Sequence, residues 1–163
     1  MYKIFVFFLG ILFFLGCTSY YTDSYKPDVI VEKKIQASRK GEIIKDQKPV
    51  VVAVATHLNE VDNVIYGNRE YFFVEVFSER QDIFYDGVIS FTLFKKPPIW
   101  VREIKKDEYD TILSSSNKWS RSFLIAFNKL DSLASRKAKL VMDVYNFGKI
   151  TFDFTYQAIP MQF

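Results

Sequence analysis

The 163-residue chain has one cysteine and one histidine, Cys17 and His57. A lone cysteine cannot close a disulfide within the chain, so the fold must rest on an apolar core. A lone histidine excludes the multi-histidine ligand sets common in zinc enzymes. Six glycines form no Gly-x-Gly pair, which excludes a glycine-rich phosphate cradle. Gly-x-Ser-x-Gly is missing too, and with it the strained serine turn of one large hydrolase class. Neither sign of charge dominates: 22 Lys and Arg stand against 19 Asp and Glu. The basic residues are scattered, with short pairs at Lys33-Lys34, Lys95-Lys96, Lys105-Lys106 and Arg136-Lys137. Such pairs are an ordinary solvated surface, not a nucleic-acid footprint, and no nucleic acid is expected as a partner.

What the chain does have is a distinctive start. Met1-Tyr2-Lys3 leads into thirteen uncharged residues, Ile4 to Gly16, five of them phenylalanine. A positive start followed by an apolar region of about 7–15 residues reads as a secretory signal, whereas a spanning helix needs about 20. The uncharged stretch runs on to Thr22, and an uncleaved anchor is the alternative. Lys3 sets the orientation in either case, with the rest of the chain outside the cytoplasm.

Phe14-Leu15-Gly16-Cys17 resembles the lipobox of bacterial lipoproteins. Phe14 stands where leucine is usual, which is similar to the relaxed form of spirochaete-type lipoproteins. The resemblance covers only the first 20 residues or so. It implies cleavage before Cys17, acylation of that cysteine, and attachment to the inner or outer membrane of a bacterial cell envelope. Three segments are then expected: a signal peptide over 1–16, a polar lipid-anchored tether over 17–48, and a folded domain over 49–163. Within the tether, Val29 to Ile35 has the alternation of a short strand, with neither face cleanly apolar.

Beyond Gly16 remain twelve phenylalanines, nine tyrosines, two tryptophans and only four glycines. Aromatic and β-branched enrichment favours sheet. Val50 to Ala55 reads as a buried strand, and Tyr71 to Phe77, apolar on both faces, as a central one. Asp86-Gly87 predicts a hairpin joining Ile83-Phe84-Tyr85 to the strand from Val88 to Phe94. Ile99 to Ile104, Ser122 to Asn128 and Leu140 to Tyr145 are further strands. Ile150 to Tyr156 closes the clearest hairpin, around Asn146 to Lys149. Asp107 and Asp131 are placed to cap short helices. Seven or eight strands near ten-residue spacing predict a single antiparallel β-sandwich, immunoglobulin-like or similar, with one or two short helices.

Few residues offer chemistry. His57 follows the first buried strand, where a loop would expose it, with Glu60 and Asp62 nearby. No second histidine or cysteine completes a metal set, so neither metal nor cofactor is expected. A hydrolase would need His57, or two of Glu60, Asp62, Glu79, Asp82 and Asp86, to converge in a cleft. Trp100 and Trp119, both near strand starts, are candidate ligand-binding rings, since tryptophan is enriched at recognition hot spots. The expected function is a non-catalytic binding or assembly module, anchored through its acyl chains and docking on another envelope protein. A surface-anchored hydrolase, or a carbohydrate- or lipid-binding module, is the alternative.

Overall fold

The computed structural model describes residues 28–155 apart from 116. Cys17, the apolar run and the end of the last expected strand lie outside the described residues.

Two antiparallel sheets form the fold. The larger has five strands in the order β1-β2-β3-β6-β5: β1 Ser38–Lys45, β2 Lys48–His57, β3 Glu70–Phe77, β6 Arg121–Phe127 and β5 Trp100–Ile104. The smaller has three in the order β4-β7-β8: β4 Ile89–Leu93, β7 Lys139–Val144 and β8 Gly148–Asp153. The expected β-sandwich is therefore the observed architecture. Period-2 alternation accounts for the main core. Val51, Ala53, Ala55, Phe72, Val74, Val76 and Ile125 of the large sheet meet Phe91, Leu93, Leu140, Met142, Val144, Ile150 and Phe152 of the small one.

The large sheet is covered on its other face as well. Four short helices occur among the described residues: α1 Val29–Gln36, α2 Leu58–Val61, α3 Asn63–Tyr66 and α4 Ser132–Ser135. Ala37 at the end of α1, with Leu58 and Val61 of α2, packs on Phe73, Ile104, Ile112 and Leu124, with Tyr71 and Trp100 beside them. This second core explains why β3 is apolar on both faces. It is the middle strand, with β2 on one side and β6 on the other, and each face meets its own layer.

The tether expected over 17–48 needs correction from Val29 onward. Val29–Gln36 is a helix, capped by Asp28, whose side chain accepts from the Ile30 backbone N–H at 2.9 Å. Asp28 overrode the β-branched alternation because its side chain satisfies a helix-end donor that extended chain would leave to water. Ser38–Lys45 is then an edge strand paired along its length with β2. The two-residue turn between them, Asp46-Gln47, has positive φ at both positions, 50° and 61°. That is hairpin geometry without the Asn-Gly or Asp-Gly signature that marks it in a sequence. Gly41 lets β1 approach β8: a Cβ there would run into Cγ2 of Ile150. The domain thus starts before residue 49.

The Asp86-Gly87 hairpin is also corrected. Gln81–Phe84 is a 3-10 turn, and Ile83 plugs into the main core instead of joining a strand. β4 pairs with β7 from far along the chain. Gly87 keeps its turn conformation, with φ of 80°. The final hairpin of β7 and β8 forms as expected, and its strand ends at Asp153.

Candidate functional site

His57 is not on a loop. It is the last residue of β2, and its side chain is 1 % exposed. The strand carries it inward because it lies opposite Phe72 in the β2–β3 ladder. Its ring stacks on Phe72 with centroids 4.7 Å apart and tilts against Phe154 at 5.5 Å.

Both ring nitrogens are engaged. Nδ1 lies 3.1 Å from Oε1 of Glu60, and Nε2 lies 2.8 Å from Oε2 of Glu70. Glu70, at the head of β3, accepts two further bonds: from the Ser135 hydroxyl at 3.0 Å and the Leu130 backbone N–H at 3.4 Å. Asn59 ties the surrounding loop together. It donates to the backbone oxygens of Tyr66 and Arg69 and accepts from the Tyr71 N–H at 2.8 Å.

Burial opposes charge on the imidazole, but the hydrogen bonds and negative charge of Glu60 and Glu70 outweigh it. The His57 pKa is raised above the usual histidine range. Carboxylates at 3.1 and 2.8 Å from the two ring nitrogens are what favour the charged form of the ring.

The cluster forms one wall of an open cavity of about 510 Å³, with Lys129 and Arg136 among the lining residues. Only Glu60 of the two acids keeps a partly open side chain, 18 % exposed against 4 % for Glu70. The Ser135 hydroxyl is directed at Glu70, not at the imidazole. The arrangement can hold a polar group against Glu60; it does not present Ser135 to the imidazole, as a Ser–His nucleophile would require. Glu60 and Glu70 bind opposite nitrogens of the ring and so converge on no common point. No group of three His, Cys, Asp or Glu among the described residues could hold a metal ion.

The other acids considered with His57 are dispersed. Asp62 caps α3, accepting from the backbone N–H of Val64 and Ile65. Asp82 pairs with Arg80 at 2.6 Å on the surface. Glu79 and Asp86 are exposed. Glu70 was missed in the sequence because it lies 13 residues from His57. A carboxylate at the head of a strand whose other residues, Glu75 apart, are apolar or aromatic is the signal for it, since such a group needs a partner when buried.

The two tryptophans differ. Trp100 is half-buried in the second core, its ring 6.1 Å from that of Tyr71. Trp119 is 71 % exposed, with the Lys118 ammonium 5.0 Å from its ring. Among the described residues, no helix is long and apolar enough to cross a membrane.

No family model matches this chain, and neither a curated protein nor a solved structure does.

Proposed function

We propose that the chain is a bacterial envelope lipoprotein, anchored through Cys17, whose β-sandwich binds a partner without catalysing a reaction. The observation that carries the reading is the positive, apolar start ending at Gly16-Cys17. More than one acyl chain on an exported amino-terminal cysteine suffices for stable membrane attachment. The folded domain is compatible with binding: the chain's single imidazole is committed to two carboxylates, and Trp119 offers an exposed ring next to a cation. The partner class is another envelope protein.

The test is incorporation of a fatty-acid analogue in growing cells that express wild type or Cys17→Ala. The reading expects label on wild type only, with the variant unacylated and keeping its residues 1–16. An unlabelled wild-type chain contradicts it.

One observation favours the hydrolase alternative: His57 and Glu60 do meet at a cavity. In that reading Glu60 is the group touching substrate. Purified protein would then release fragments from envelope polymers, and Glu60→Gln would abolish release while the fold persisted.

A further inference from the structure

We propose that the open cavity beside His57 binds a small carboxylate that also carries hydrogen-bond donors, with Lys129 and Arg136 receiving its carboxylate and Glu60 its donors. Such a site is independent of the lipid anchor. The cavity measures about 510 Å³, and Leu130 is the one aliphatic side chain among the described residues that line it. Small-molecule sites span roughly 300–1,000 Å³ and fix orientation through a few placed polar groups. Walls this polar suit a polar ligand, because an apolar one would take their water away and return no hydrogen bond.

The lining residues select the ligand's chemistry. Glu60 spends Oε1 on His57, and its Oε2 has no hydrogen-bond partner among the described residues. An ionised carboxylate only accepts, so the group that meets it must bring the proton. Lys129 and Arg136 are exposed, and neither makes an ion pair or a side-chain hydrogen bond with a described residue. The cations thus stand at the open side and the acids at the buried side. A carboxylate is met by Lys129 and by the guanidinium fork of Arg136, whose geometry matches it, while the ligand's donors reach inward to Glu60. The buried cluster holds these walls together. Glu70 accepts from the Leu130 N–H and the Ser135 hydroxyl, the chain neighbours of Lys129 and Arg136. Glu70 also bonds His57, which bonds Glu60. Cations and acid are therefore tied to one frame before a ligand arrives, which lowers the ordering cost of binding.

The experiment titrates the full chain, in neutral detergent, with D-galacturonate and with alanyl-alanine by calorimetry. The first offers hydroxyls to Glu60 and the second an ammonium, so the pair separates a sugar-acid source from a peptide source. At least one is expected to bind. D-galactose, which lacks the carboxylate, and acetate, which lacks the donors, should bind at least about tenfold more weakly than the better probe, as the loss of a hydrogen bond to a charged group predicts. Lys129→Gln and Arg136→Gln should each weaken that probe about threefold, in line with ion pairs at an exposed rim, and together about tenfold. Lys40→Gln removes an exposed charge of β1 outside the cavity and should leave affinity unchanged. Unchanged thermal unfolding of the cavity variants separates lost binding from lost fold. Binding of neither probe, equal binding of galactose or acetate, or affinity that survives the double variant overturns the inference. An equal fall in all three single variants overturns it too, and means that overall charge attracts the anion. None of these outcomes bears on acylation of Cys17, which fatty-acid labelling reads separately.

Discussion

Replacing Glu70 with alanine should be among the most damaging changes in this protein. Its carboxylate accepts from His57 Nε2, the Ser135 hydroxyl and the Leu130 N–H, and its side chain is 4 % exposed. Removing it leaves the buried imidazole without one of its two anionic partners. Breaking a buried charge pair from one side costs about 3–5 kcal/mol, against a total of about 5–15 kcal/mol for a typical domain. Glu70→Gln keeps the shape and one acceptor, so it should cost less, about 1–3 kcal/mol. The assay is equilibrium urea unfolding of a chain beginning at residue 28. It also carries a pH signature. The His57 pKa is raised in the folded state, above an unfolded value near 6.5. The stability this contributes is complete below about pH 6.5 and is lost as pH climbs through the folded value. Wild type should therefore weaken as pH rises above about 6.5. The weakening should shrink in Glu70→Gln, where only Glu60 still favours the charged ring. A loss under about 1 kcal/mol in Glu70→Ala, or wild-type stability that stays flat as pH rises above about 6.5, would refute the claim that the two carboxylates favour the charged ring.

Other outcomes follow from the packing. Gly41→Ala should destabilise by about 1–3 kcal/mol through overpacking on Ile150; in the double variant with Ile150→Ala the two losses should fall short of their sum, as a double-mutant cycle would read. Gln47→Gly should raise the urea midpoint, because Gln47 holds a left-handed φ of 61° that costs a side-chain-bearing residue about 1–2 kcal/mol. Trp119→Ala should leave stability within about 0.5 kcal/mol, since the ring is largely exposed. Trp100→Ala, half-buried against Tyr71, should cost about 2 kcal/mol, below the roughly 3–5 kcal/mol of a fully buried ring. A chain starting at residue 49 should be insoluble on expression, because it lacks β1 and bares the edge of β2, whereas one starting at residue 28 should fold.

The strands that alternate cleanly were readable from residues alone. Ile150 and Phe152 set against Thr151 and Asp153 specify one buried and one open face, and β8 forms there. The two apolar faces of Tyr71 to Phe77 likewise announced a strand covered on both sides, which β3 is. The errors arose where one side chain or one backbone angle outweighed the pattern. Asp28 turned a β-branched stretch into α1. Asp46-Gln47 makes a tight hairpin without glycine, so no turn signature marks β1 as a strand. Ile83 entered the core from a 3-10 turn, leaving Asp86-Gly87 a turn without a hairpin. Of the candidate site, the nearness of His57 and Glu60 was legible because they stand three positions apart. Glu70 and Ser135 join only through the packing of β3 against β2 and the placement of α4, which no local pattern encodes.

The central claim is that Cys17 is the processed, acylated start of the mature protein. The direct measurement is the intact mass of the chain extracted from membranes, read beside Cys17→Ala. The account predicts a wild-type chain that starts at Cys17 and carries the added mass of acyl groups, with a variant that retains residues 1–16. A full-length, unmodified wild-type chain would contradict it and leave the apolar run as an uncleaved anchor.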